Sequence, residues 1–397
     1  MSSNSSLQNL IDQQLPEFIQ IREHIHQHPE LSFQEFETSA FICSKLDEWG
    51  ISYQKGYAGT GILASIQGRN PDKQVIAFRA DMDALPIVEM NEVAYASKNK
   101  GVMHACGHDV HSTCLLGAIR ILNEIKNEWE GTIQCIFQPG EEKHPGGASL
   151  LIKEGILENP KPAAIFALHV YPHLPYGSIG YRAGQYMASA DEIYIRVIGK
   201  GGHAALPHQT VDPIIISAQL LTSLQQIISR NCNPLQPSVL SFGKIAGGQA
   251  GNVIPDEVRI EGTLRCMDEK WRAKAHDLIR KHTIELCRAL GGDAEIEIPM
   301  GYPSLFNDPQ VTRQFQDIAE KALGVEQVKE LDLRMAAEDF SFYTHQVPGC
   351  FFRIGTSKGN EFQFPVHNAR FDIYQPAIAI GVRMFCEIAI HYKHETN

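Results

Sequence analysis

No run of about 18 consecutive apolar residues occurs in the chain, the length that a bilayer-spanning helix needs, which argues against a membrane-embedded protein. Clusters of Lys and Arg are also absent. With 35 basic against 46 acidic residues the net charge is −11, which disfavours nucleic acid and anionic membrane as partners. A small anionic substrate stays open, because one pocket can hold its own arginine. The opening stretch MSSNSSLQNLIDQQLPEFIQ lacks a basic segment followed by an apolar one, so it carries no mark of a secretory leader. Nine scattered cysteines include no Cys-x-x-Cys pair, and their odd number argues against a disulfide framework. The expectation is a reducing cytoplasm. Internal repeats and low-complexity tracts are missing as well. What remains is ordinary soluble composition, 43% hydrophobic and 20% charged, over 397 residues. That length allows two or three domains, each with its own core.

The first 25 or so residues place Leu7, Leu10, Ile11, Leu15, Phe18, Ile19 and Ile21 at three- and four-residue steps, a helical pattern. FETSAFICSKLDEWG repeats it and stops at Gly50. Short apolar runs then alternate with helical segments. GILASIQG, QVIAFRAD, GTIQCIFQ and AAIFALHV read as strands, and HSTCLLGAIRILNEIK and GGASLLIKEGIL as helices. Such alternation implies an α/β domain with a mixed, mostly parallel sheet. Near residue 190 the order becomes β-α-β-β-α-β, the split pattern of a ferredoxin-like α+β sandwich. After Pro299 helical and strand material returns. The expected organisation is one α/β domain, 1–188 with 299–397, interrupted by an insertion over 189–298.

Ligand-type residues fall where the strands end. QVIAFRAD leads into Asp81 and Asp83, GTIQCIF leads through Gln138-Pro139-Gly140 into Glu141 and Glu142, and AAIFAL ends at His169. Open α/β sheets bind ligands beyond the carboxyl ends of their strands, so these three ends can converge. MHACGHDVH precedes a helix expected to begin near Ser112; read as extended, it points Cys106 and His108 to one side. A thiolate, imidazoles and carboxylates together suit zinc or a similar divalent ion. Each residue alone has a duller reading. Buried cysteines are usually inert, paired glutamates usually solvated, and histidines at strand ends often core residues. Cys106 as a nucleophile activated by a histidine is a separate mechanism, and a binding or storage protein a third possibility. His26 and His28 are read as structural, because nothing in the sequence links them to the strand ends.

REHIHQHPELSFQEFETS, FRADMDALPI, MHACGHDVH, FQPGEE, ALHV, GKGGHAALPH, GGQAGNVIPDEV, GTLR, AEDFSF and VHNARFD occur in this order along nearly the whole chain. Together they resemble the zinc-dependent aminoacylase and carboxypeptidase superfamily, and within it the N-acyl amino acid amidohydrolases. The resemblance implies Cys106, His108, Glu142, His169 and His367 as ligands of two divalent ions, zinc first, with manganese, cobalt or nickel sharing such a set. It implies Glu141 as general base and Asp83 as an orienting residue. Where many superfamily members have His-x-Asp, this chain has Asp81-Met82-Asp83, and the cysteine of HACGHD stands in for the missing ligand. The insertion resembles a lid and dimerisation domain, so a homodimer is implied. In it His203 would reach a substrate carbonyl, and Asn252 and Arg265 the substrate carboxylate. The implied activity is hydrolysis of N-acyl-L-amino acids, small-molecule chemistry without nucleic acid or membrane, and a dipeptidase or carboxypeptidase is the alternative.

Overall fold

Four of the apolar runs become the centre of one sheet. In the computed structural model, which describes residues 3–394, strands Thr132–Gln138, Val75–Asp81, Ala164–Pro175 and Gly349–Ser357 lie side by side and parallel. Ser52–Tyr57 and Gly61–Gln67 extend one edge antiparallel; Ile179–Tyr181 and Val328–Glu330 extend the other, making eight strands. Cover on both faces explains the unbroken apolar reading of the central strands: every residue of Thr132–Gln138 and Gly349–Ser357 is buried. Ser52–Tyr57, SYQKGY, is mostly exposed and has no such signature, so its pattern announces no strand.

Helices Ser3–Gln27, His108–Glu124, Pro309–Leu323 and Ala377–His391 share one core with this sheet. Phe385 stands 4.7 Å from Phe78, and Phe315 stands 4.5 Å from Phe352, ring centre to ring centre. Burying side chains of this size contributes about 1.5–3 kcal/mol each. The last helix, AIAIGVRMFCEIAIH, buries residues on every side and so lacks the polar stripe that marks a surface helix.

These elements belong to a unit comprising Met1–Gly184, Phe306–Asp332 and Asp339–Asn397; the other unit is Gln185–Leu305 with Leu333–Glu338. In the latter, four antiparallel strands run in the order Ser238–Ala246, Glu257–Cys266, Asp191–Ile198, Asp293–Glu297. With helices Pro213–Gln226 and Glu269–Ala289 this is the ferredoxin-like arrangement. Helix starts are legible here: Asp212 and Asp268 accept hydrogen bonds from the first free N–H groups, and Pro213 follows Asp212 where a missing N–H costs nothing.

One buried ion pair locks this second unit. Asp191 accepts Arg272 Nε at 2.8 Å and Nη2 at 2.6 Å, faces His276 Nε2 at 2.8 Å, and accepts Gly301 N–H at 3.0 Å. Burial would raise the carboxyl's pKa, yet these donors hold it well below the usual carboxylate range. Its stabilising effect is therefore full above the unfolded value of about 3.9 and fades as pH falls through the depressed folded value. Asp191→Asn should cost roughly 3–5 kcal/mol at neutral pH. Urea unfolding of both proteins along a pH series checks this, the gap narrowing on acidification.

Among the described residues no helix is long and apolar enough to cross a membrane.

Candidate metal centre

Cys106 and His108 meet through a turn rather than an extended strand. Gly107 has φ 88°, in the left-handed region, and the helix begins directly after it at His108 instead of near Ser112. A side chain at 107 would be strained by that φ and would also collide, since its Cβ would lie 2.5 Å from Val170 Cγ2. His169 is likewise placed differently from the expectation. Its strand does not end there but runs on to Pro175, because Gly349–Ser357 continues to pair with it, Arg353 opposite His169. The neighbouring strand Val75–Asp81 stops pairing with it at Arg79–Ala167, so His169 lies past that strand's last rung.

The five residues expected as ligands come together, all within the first unit. Cys106, His108 and His169 form one buried triad; Cys106, Glu142 and the exposed His367 form another, with ligand atoms in each within 4.8 Å of one another. His108, Glu141 and Glu142 make a third grouping. Cys106 Sγ lies 3.4 Å from His169 Nε2. Two ligands of one tetrahedral ion, with bonds near 2.3 and 2.0 Å, would be separated by about 3.5 Å.

Second partners engage the outer ring nitrogens. His169 Nδ1 donates to Val170 O at 2.8 Å, and His108 Nδ1 faces Asp83 Oδ1 at 3.1 Å. His108 Nε2 is then buried with no hydrogen-bond partner. Glu142 Oε1 stands 3.1 Å from His367 Nε2 without hydrogen-bond geometry, and it too is buried and unpartnered. Ligand-type atoms left without hydrogen bonds around one common space are what a cation would satisfy, and carboxylate- or carbonyl-backed imidazoles are the usual arrangement around one. The residues present fit a divalent metal centre.

The charges agree. Burial, then Glu142, Glu141 and Asp81, push the Cys106 thiol well above its usual pKa. That disfavours a free thiolate nucleophile, which needs an electropositive setting. Burial would lower His108, but Asp81, Asp83 and Glu142 outweigh it and raise its pKa to about 10. His169 is kept neutral by burial and by Arg353. A bound cation would replace the proton on His108 and deprotonate Cys106.

Around this group is a bracing layer. Asp83 Oδ2 accepts Ser32 Oγ–H at 2.6 Å and Glu142 N–H at 3.0 Å while its other oxygen holds His108. His111 has both nitrogens engaged, Nδ1 with Asp81 at 2.6 Å and Nε2 accepting Val170 N–H at 3.0 Å. The second oxygen of Asp81 accepts Arg79 Nη1 at 2.6 Å. Arg79 Nη2 reaches Asp339 at 2.7 Å, and Asp339 also accepts Gln138 Nε2 at 2.7 Å and Ala148 N–H at 3.0 Å, bracing the turn that presents Glu141. Glu141 is buried with Oε2 3.9 Å from His108 Nε2. His367 has φ 67°, rare for a side-chain-bearing residue, and its N–H is tied to Ala105 O at 2.8 Å.

Some participants escaped the sequence reading. His28 Nδ1 reaches only His24 O, as befits a structural residue, but His26 is linked to the centre after all: its Nδ1 lies 2.8 Å from Asp109 Oδ2, one residue after His108. The available signal was Arg22-x-x-x-His26, polar residues on the helix face that buries Phe18, Ile21 and Ile25. In the second unit, His203 lies on a two-residue ladder opposite Val253, and Asn252, just before that strand, accepts Ala204 N–H at 3.0 Å. Arg265 is on the separate strand Glu257–Cys266, half-buried, with Nη1 on Thr263 Oγ1.

Residues 77–391 match the model of peptidase family M20/M25/M40, and the chain belongs to that family of hydrolases. It is 43% identical over 349 residues to the N-acetyl-L-cysteine deacetylase of Bacillus subtilis strain 168, covering 88% of this chain and 82% of that protein. The IAA-amino acid hydrolase ILR1-like 4 of Arabidopsis thaliana is 38% identical over 384 residues, 94% of this chain and 85% of its own. The crystal structure of Bacillus subtilis YxeP, described as a dinuclear metal binding peptidase of the M20 family, aligns with a TM-score of 0.82 at 34% identity, over 94% of this chain and 97% of that one.

Proposed function

We propose that the protein is a metal-dependent amidohydrolase that cleaves N-acyl-L-amino acids to a carboxylate and a free amino acid. The observation that carries this reading is the meeting of Cys106, His108, Glu142, His169 and His367 in linked triads with a further carboxylate, Glu141, beside them. These five would hold two divalent ions, zinc first, with manganese, cobalt or nickel accepted by the same ligand types. The ions, when bound, supply Lewis acidity that makes water acidic near neutral pH and polarises the acyl carbonyl. Glu141 takes the attacking water's proton on Oε2 as the C–O bond forms and then passes it to the amide nitrogen, after which the C–N bond breaks and the free amine departs. Asp83 keeps the His108 ring and the Glu142 backbone in place. The names of the N-acetyl-L-cysteine deacetylase and the IAA-amino acid hydrolase support an acyl amino acid as substrate.

The segment 189–298 serves as lid and dimerisation domain. Its outer strand Ser238–Ala246 exposes Val239 and Ile245, and Pro213–Gln226 exposes Ile214 and Ile215, an apolar surface suited to a second copy. His203, exposed, serves the substrate carbonyl in the partner's site, while Asn252 and Arg265 grip the α-carboxylate. Nine free thiols fit a reducing cytoplasm.

Elemental analysis of the purified protein, followed by a hydrolysis screen over acetyl, benzoyl and indole-acetyl amino acids beside free dipeptides, tests the reading. Close to two ions per chain and turnover of the acylated compounds are expected. A metal-free active protein, or one that cleaves dipeptides alone, would refute it.

A further inference from the structure

Helix Ser3–Gln27 carries a charged side chain into its buried face. Arg22 is 0% exposed, its Nε donating to Asp109 Oδ2 at 2.7 Å and its Nη2 to Asp372 Oδ1 at 2.9 Å. Asp109 follows His108 in the first turn of its helix, and Asp372 lies shortly after His367 in the chain. A single guanidinium therefore joins the two segments, more than two hundred residues apart, that bear His108 and His367. His26 Nδ1 adds a second hold on Asp109 at 2.8 Å, and Tyr95 Oη donates to Asp372 Oδ2 at 2.8 Å.

Stability alone does not account for this group. An apolar trio of equal volume would serve a core as well or better. Arg22 Nη1, Asp109 Oδ1 and both ring nitrogens of His104 are buried without a hydrogen-bond partner, each a cost to folding. What a planar fork adds is direction: two N–H vectors fix two carboxylates relative to each other, which a lysine ammonium cannot do.

We propose that Arg22 is a positioning residue for the metal centre, setting the spacing of His108 and His367 through Asp109 and Asp372 and thereby deciding whether two cations bind together. This rests on the two-metal reading above.

The test is a cobalt(II) titration of metal-stripped full-length protein, followed in the visible bands and in the sulfur-to-cobalt absorption that Cys106 would give. Wild type, Arg22→Gln, Arg22→Lys and Arg272→Gln are compared; the last removes an equally buried arginine from the second unit. Wild type should take two equivalents. Arg22→Gln should weaken one of them by about 10–100-fold and alter its spectrum, as loss of a supporting partner does. Arg22→Lys should fall between. Arg272→Gln should lower the melting temperature without moving either equivalent. Should Arg22→Gln not fold, Asp372→Asn removes one arm only and should shift the same equivalent in the same direction. Two unaltered equivalents in the Arg22 or Asp372 variant, or an equal shift in Arg272→Gln, would overturn the inference and leave the two-metal reading standing. Wild type that binds no cobalt would overturn both.

Discussion

Glu141→Gln is expected to lower kcat by about 10³–10⁴-fold while the purified protein keeps its metal. The amide has the carboxylate's shape but cannot accept a proton from water, and general-base assistance is worth up to about 10⁴. Metal content should survive because the two triads that contain Cys106 do not include Glu141. Its surroundings should survive too: Gly140, with φ 62°, is packed so tightly on Phe33 that a Cβ there would lie 2.3 Å from the ring, and its N–H is held by Glu35 at 2.9 Å. The turn is thus shaped by residues other than Glu141. Steady-state kinetics and elemental analysis on one preparation decide the matter. Undiminished turnover would remove the glutamate base from the mechanism.

Cys106→Ser should do the opposite, losing activity together with metal. The sulfur belongs to both triads, so its replacement by a weakly acidic hydroxyl weakens both at once, by no less than the roughly 10–100-fold that loss of a supporting residue costs. Chelation of the wild type should reproduce the defect, and added zinc, manganese or cobalt should reverse it in the wild type alone. The same pair of experiments separates ligand from nucleophile. A covalent mechanism would give chelator-resistant activity lost on alkylation; instead, metal should protect Cys106, whose buried thiol is held protonated by its acidic neighbours when no cation is present.

The central strands and most helices were legible because burial on both faces leaves continuous apolar runs and because capping aspartates mark helix starts. Two kinds of element were not. Ser52–Tyr57 lies at an exposed edge where pairing, not side-chain pattern, makes the strand, and Ala377–His391 is buried all round, which erases the helical stripe. At the centre, residue types and their approach to a common sheet edge were readable, but the manner of approach was not. Gly107 in the left-handed region, His367 at φ 67° and the continuation of the His169 strand depend on neighbours brought from elsewhere in the chain. Arg79, His111, Asp339 and the Arg22 group were invisible for the same reason: a buried charge has no meaning until its partner is in view.

One carboxylate shared between a ring and a backbone has a wider consequence. Because Asp83 grips the His108 imidazole with one oxygen and the Glu142 backbone N–H with the other, the two segments move as one piece rather than as adjustable parts. A change at residue 83 would therefore be felt at the ring of one expected ligand and the backbone of another at the same time.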